Sequence, residues 1–173
     1  WEAYIFGALG YKADDPILVA GKTYLDMKAE KFAKMSEASL VENDGAAPAA
    51  KVLARQILGI AGLGGDPRDV GGKDLIKALI SLAYKDYDIA GGELNLDEKG
   101  GLKVRLADND TIAEGYFLLA LEVCNATPEE GYTEEVRAAG LRTILNAWGD
   151  ADVTGEGSSD FNTNGSTYIS DYY

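Results

Sequence analysis

The segment Ala49–Ala83, AAKVLARQILGIAGLGGDPRDVGGKDLIKALISLA, constrains this chain more than any other. Its first half, Lys51 to Leu63, sets Val52, Leu53, Ile57, Leu58, Ile60 and Leu63 among Ala and Gly, and only Lys51, Arg55 and Gln56 are strongly polar. A helix that apolar must be covered on most sides, so it is predicted to be an inner helix of the fold. The run Gly62-Leu63-Gly64-Gly65-Asp66-Pro67 ends it, because Gly takes the left-handed cap readily and Pro cannot continue a helix. Gly64 or Gly65 is therefore expected to have positive φ. After Gly71-Gly72 a second helix is predicted, with Leu75, Ile76, Leu79, Ile80 and Ala83 on one stripe and Lys73, Lys77 and Ser81 opposite. A buried helix, a tight turn and an amphipathic helix returning outside it form the αα-hairpin of a layered helical repeat.

The rest of the chain echoes this unit. Trp1–Gly10 ends in the same small-Leu-Gly pattern as Gly62-Leu63-Gly64, and Ile112–Cys124 is again apolar nearly all round before Asn125-Ala126-Thr127-Pro128. Aligning Gly10 with Gly64 places Trp1 opposite Arg55; aligning Pro67 with Pro128 places Gly64 opposite Asn125 and Arg55 opposite Tyr116. The aligned positions Gly10, Gly64 and Asn125 lie 54 and 61 residues apart, which fits three copies, 1–41, 48–86 and 110–148, in a domain spanning 1–148. These periods lie at the long end for paired-helix repeats, where about 40–50 residues is usual. One long outer helix is expected over Ile17–Leu40, with Leu25, Ala29, Phe32, Ala33, Ser36 and Leu40 inward. The third outer helix is expected to start at a Thr133 cap and to turn Val136, Gly140, Leu141, Ile144, Leu145 and Trp148 inward. In the 87–107 connection, alternating Leu94, Leu96 and Leu102, Val104, Leu106 are compatible with a short β-hairpin across Asp97–Gly101. Residues 149–173 form a polar C-terminal segment, open to a further repeat beyond it.

Composition narrows the function classes. The fold class is all-α, with only 4 Pro and long Ala/Leu/Ile segments between Gly clusters. A net charge of −13 argues against nucleic acid and anionic membrane surfaces, both of which need a basic footprint. No apolar run reaches the roughly 20 residues that cross a bilayer. With no His, a Ser-His-Asp triad, a Cys-His pair and His-containing metal sites are all excluded within this sequence. The single Cys124 lies in an apolar helix and is expected to pack as a small hydrophobe. The chain opens on Trp1 rather than Met, and is read as a processed form or an excised fragment.

Trp1-Glu2-Ala3, Ala54–Pro67, Gly71–Ile76 and Asp108–Ala113, in that order, carry a resemblance to the α/α-toroid superfamily of terpenoid cyclases and protein prenyltransferases. The branch it resembles is the non-catalytic, transcobalamin-like one found in secreted bacterial proteins. The resemblance implies paired-helix repeats around a ring, a secreted or cell-surface location and a concave binding surface. The Gln-x-x-Asp-Gly-Gly-x-Trp/Phe signature of such repeats is absent. A full ring has roughly a dozen helices and about half that number is predicted here, so the chain is expected to form a half-toroid or part of a larger ring. Catalytic relatives use an Asp-rich protonating motif or a zinc held by Asp, Cys and His, and neither pattern occurs.

Four groups of residues are candidates for a site. Asp108 and Asp110 fit either helix capping, Asp110 being the expected N-cap, or a ligand contact. Trp1, Tyr4, Tyr116 and Phe117, on the inner segments, fit either core packing or an aromatic-lined concave pocket, and Trp148 is a further ligand-contact candidate. Asp150, Asp152 and Thr154, with Gly155 next, match the first half of a Ca²⁺ loop. Asp160 falls one residue short of the bidentate position, which is Phe161, so a solvated acidic loop is the competing reading. Finally, 29 acids and 10 Tyr are compatible with a paired-carboxylate glycosidase cleft. The expected function is a non-catalytic α/α-repeat module binding a small ligand, a host or cell-surface partner, or other domains of its own polypeptide. The alternatives are a corrinoid (cobalamin)-binding domain and a fragment of an α/α-barrel glycosidase or isoprenoid cyclase. No resident cofactor is expected, apart from Ca²⁺ in the acidic-loop reading and cobalamin in the corrinoid one.

Overall fold

The computed structural model describes residues 2–15, 21–42, 49–104 and 111–149. Among them are seven α-helices: α1 (Glu2–Ala8), α2 (Tyr24–Ala33), α3 (Glu37–Val41), α4 (Ala49–Gly62), α5 (Leu75–Ser81), α6 (Thr111–Val123) and α7 (Glu134–Gly149). Single 3-10 turns stand at Lys85–Tyr87 and Pro128–Glu130. The fold class is all-α, as the sequence predicts, and no β-strand forms among the described residues.

Helix α4 is the hub. It packs most extensively on α6 and also touches α1, α3 and α5. Leu53, Ile57, Leu58 and Ile60 are buried on it, and Leu75, Ile76, Leu79 and Ile80 of α5 are wholly buried beside it. Each such aliphatic side chain contributes about 1.5–3 kcal/mol by leaving water. Phe117 and Leu121 of α6 and Val136 of α7 continue the same core. Where α1 crosses α4 the backbones nearly touch, and a Cβ on Gly7 would strike the Gly62 carbonyl. Only glycine allows that approach.

Three helices end in one way. At the end of α4, Gly64 takes φ 77°, the Gly65 N–H donates to the Ile60 carbonyl and the Gly64 N–H to the Ala61 carbonyl, each at 2.9 Å. After α6, Asn125 takes φ 48°, with Ala126 N–H on the Leu121 carbonyl (2.9 Å) and Asn125 N–H on Glu122 (3.1 Å). After α1, Gly10 takes φ 86°, with Tyr11 N–H on Phe6 (3.0 Å) and Gly10 N–H on Gly7 (2.9 Å). Each is the Schellman pairing that satisfies the last carbonyls of a helix. They fall at Gly10, Gly64 and Asn125, the positions that the sequence aligns. A Cβ at Gly64 would meet nothing within 4 Å, so Gly64→Val tests the backbone alone. It is expected to cost about 1–2 kcal/mol through left-handed strain on a β-branched residue. An unchanged melting temperature would show that the turn does not need its glycine.

Side-chain caps open the helices that follow these turns. Thr23 and Asp26 form a reciprocal capping box at α2. The Asp74 carboxylate accepts the Lys77 N–H at α5 (2.8 Å), and Thr133 Oγ1 accepts the Val136 N–H at α7 (3.3 Å).

Several expectations need correction. The helix expected over Ile17–Leu40 is broken. Thr23 starts α2, and the Ser36 hydroxyl accepts the Ser39 N–H to start α3 as a separate helix. The break leaves Ala33 and Ser36 exposed while Phe32 and Leu40 stay buried. The β-hairpin is reduced to isolated bridges, Leu96 with Leu102 and Tyr84 with Leu94. Leu102 cannot extend a ladder, because its N–H donates to the Ala139 carbonyl of α7 and its own carbonyl accepts from Thr143 Oγ1. Ser81, expected on the outer stripe, is buried and donates to the Ala78 carbonyl. Leu141 and Leu145, expected inward, are 40% and 60% exposed. Helix α7 meets its neighbours through Val136, Ala139, Gly140 and Thr143, and Gly140 lies so close over Leu118 that the small face wins the interface.

Candidate functional site

Leu119 gives the site away. It lies on α6, which packs against α4 and α7, yet is 49% exposed, while Leu58 on α4 is only 2% exposed. The two line a half-open groove of about 530 Å³ between α1, α2, α4 and α6. Its volume is within the range of about 300–1,000 Å³ usual for small-molecule sites.

Each wall follows from helical spacing. On α4, Val52, Arg55, Gln56 and Gly59 fall at i, i+3, i+4 and i+7, so they share one face. Arg55 and Gln56, two of the three polar residues in this apolar helix, therefore stand over the groove. On α6, Tyr116 and Leu119 are three apart and share its groove-facing side, and on α2 the same holds for Tyr24 and Lys28, four apart. Ala3 of α1 closes the end. Gly59 makes room for Tyr24: a Cβ there would lie 3.1 Å from the Tyr24 hydroxyl oxygen.

The polar groups have a definite arrangement. Lys28 Nζ donates to Gln56 Oε1 at 2.6 Å and lies 5.1 Å from the centroid of the Tyr24 ring. An ammonium over a tyrosine face is held by the ring quadrupole, worth about 0.5–1 kcal/mol at an exposed site. The result is an apolar floor of Val52, Leu58 and Leu119, rimmed by Arg55, Gln56, Lys28 and Tyr116.

Of the residues proposed from sequence, Tyr116 stands in this groove, together with Arg55, which the alignment places opposite it. Tyr4 lies on α1 and Trp148 on α7, but their side chains fall outside the described residues, as do Trp1, Asp108 and Asp110. Asp150, Asp152, Thr154 and Asp160 also lie outside them, so the acidic-loop reading has no described geometry. Among the described residues no group of three or more Cys, Asp or Glu is placed to hold a metal ion, and no helix is long and apolar enough to cross a membrane. Cys124 is half-buried and burial pushes its thiol up from its ordinary value, in line with a packing role. Sequence reading missed Tyr24, Lys28, Arg55, Gln56 and Leu119 as a group. The available signal was the pair of polar residues on a helix that otherwise has no reason to carry them.

The chain matches no protein-family model, no curated protein and no solved structure with which it was compared.

Proposed function

We propose that this chain is a non-catalytic binding module built of α/α repeats, part of a secreted or cell-surface bacterial protein, and that the groove is its binding site. The observation that supports the reading is that Arg55 and Tyr116 both line the groove. They are positions that the sequence alignment pairs, on two helices, α4 and α6, whose ends carry the same Schellman cap. A layered array places equivalent positions of neighbouring repeats side by side on its concave surface, where such folds bind ligands. The recurrence of that cap at Gly10 supports a third unit. On this reading the half-ring is completed by other domains of the same polypeptide or by a partner.

The test is titration with N-phenylnaphthylamine, an uncharged amphipathic fluorophore. Saturable, blue-shifted emission at one probe per chain is expected, and Leu119→Gln and Tyr116→Ala should each weaken binding about fivefold or more, by removing buried contact area. Emission that does not saturate, or that ignores both substitutions in proteins with unchanged circular dichroism, would remove the groove as the site. A parallel titration with cobalamin, followed by its visible absorbance, checks the corrinoid alternative. A shift lost in the same two variants would assign the groove to that ligand.

A further inference from the structure

The groove is chemically one-sided. Its described lining includes two cationic side chains, Lys28 and Arg55, and no carboxylate, in a chain with 29 acidic and 16 basic residues. A second, larger depression of about 1140 Å³, bordered by α3, α5 and the 84–90 loop, shows the opposite balance: Glu37, Asp74, Asp88, Glu129 and Glu130 line it, with Lys77 the one cation among its described lining residues. Among the described lining residues, the carboxylates thus border the second depression and not the groove.

Donors and acceptors in the groove are equally unbalanced. The Arg55 guanidinium, the Gln56 amide nitrogen and the Tyr116 hydroxyl make no hydrogen bond or ion pair among the described residues. The Gln56 carbonyl oxygen, which could serve a ligand's donor, already accepts from Lys28. Arg offers five N–H donors in a fixed fork, and the Gln amide adds two more. A ligand seated on Val52, Leu58 and Leu119 therefore meets donors and positive charge at the rim. The group that satisfies several such donors at once is an oxyanion, whose charge-assisted hydrogen bonds are roughly twice as strong as neutral ones.

We infer that the groove takes an amphipathic oxyanion: a free small molecule with an apolar or aromatic body on the Leu58–Leu119 floor and one carboxylate, sulfonate or phosphate group between Arg55, Gln56 and Tyr116. This rests on the groove being the binding site. Anilinonaphthalene sulfonate, which has the same ring body as N-phenylnaphthylamine plus one sulfonate, is the matched probe. It should bind about tenfold more tightly than the uncharged compound at low salt, and Arg55→Glu should weaken it about fivefold more than it weakens the uncharged compound. Raising the ionic strength should narrow the gap, because the added contact is a half-exposed charge pair. Alkyl carboxylate and alkyl phosphate of one chain length should displace the sulfonate probe better than the matching alcohol, and their order tells the two head groups apart.

The outcomes separate the two readings. Equal affinities for the two probes, both lost in Leu119→Gln and both indifferent to Arg55→Glu, would keep the groove as a binding site and overturn its preference for oxyanions. Equal displacement by the alcohol would overturn it too. Binding of both probes indifferent to Leu119→Gln would overturn the groove itself. Arg55 is exposed and outside the core, and circular dichroism and melting of Arg55→Glu establish that the variant is folded before binding is read.

Discussion

Replacing Gly71 by alanine is expected to destabilise the protein by about 3–4 kcal/mol, lowering its melting temperature by roughly 10 °C. Two independent effects add. Gly71 has φ 65°, in the left-handed region, where a Cβ costs roughly 1–2 kcal/mol. Its Cβ would also run into the Ala29 carbonyl oxygen and come within 2.9 Å of the Ala33 backbone nitrogen, so α2 would have to move away. Such overpacking typically costs about 1–3 kcal/mol. The neighbouring residue separates the two effects. Gly72 has φ 74° but nothing within 4 Å of its Cβ, so Gly72→Ala should show the backbone cost alone, about 1–2 kcal/mol. Equal losses in the two variants would show that α2 yields freely at this contact. A displaced α2 would carry Tyr24 and Lys28 with it, so folded Gly71→Ala protein should also bind groove probes more weakly, whereas Gly72→Ala should not.

The parts of this fold that the sequence reveals are those decided locally. The all-round apolar pattern of Lys51–Leu63 has one physical outcome, burial, and α4 is the hub. A Gly-Gly-Asp-Pro run after such a helix leaves few backbone choices, and Gly64 has the expected positive φ. Alignment on Pro67 and Pro128 placed Asn125 opposite Gly64, and Asn125 takes the left-handed conformation there, as Asn is among the few residues besides Gly that do. The caps that escaped reading are local but invisible to periodicity: the Thr23–Asp26 box starts α2 late, and the Ser36 hydroxyl on the Ser39 N–H makes α3 a separate helix. The rest was decided by packing between segments far apart in sequence. Leu119, Leu141 and Leu145 have the same chemistry as buried leucines on their helices. Their exposure depends on how α6 and α7 are rotated, and a close approach over Gly140 sets that contact between them. Of the groove, Tyr116 and its alignment with Arg55 were legible, while Lys28 enters only through tertiary geometry.

The same distinction bears on Arg68, which no local pattern singles out. It lies in the turn after α4, and Glu130 in the turn after α6, the two turns that Pro67 and Pro128 align. Arg68 Nε donates to Glu130 Oε1 at 2.6 Å, and Nη2 donates both to Glu130 Oε2 and to the Cys124 carbonyl, each at 3.1 Å. Glu130 Oε2 also accepts the Thr127 N–H at 2.8 Å. The side chains are 33% and 22% exposed, between the surface pairs worth about 0.2–1 kcal/mol and the buried ones whose breakage costs about 3–5. Arg68→Met is therefore expected to cost about 2 kcal/mol at neutral pH, and Arg68→Lys a large part of that, since an ammonium cannot reproduce the two-pronged contact. The pH dependence has a definite sign. The hydrogen bond from Arg68 holds the Glu130 carboxyl below its ordinary value of 4.5, so its contribution is present above that value and lost as pH falls through the lowered one. Arg68 is raised from a value already far above neutrality and adds no change in that window. Other carboxylates held low, Glu122 by Arg137 and Glu93 by Lys85, weaken wild type and variant alike. Denaturant unfolding of both proteins from about pH 6 down to about pH 3 should thus show the stability difference shrinking to the smaller, pH-independent part that the bond to the Cys124 carbonyl supplies. A difference that stays constant across that range would mean that Arg68 acts through its stem and its bond to the Cys124 carbonyl, and that the bridge to Glu130 does not hold the two turns together.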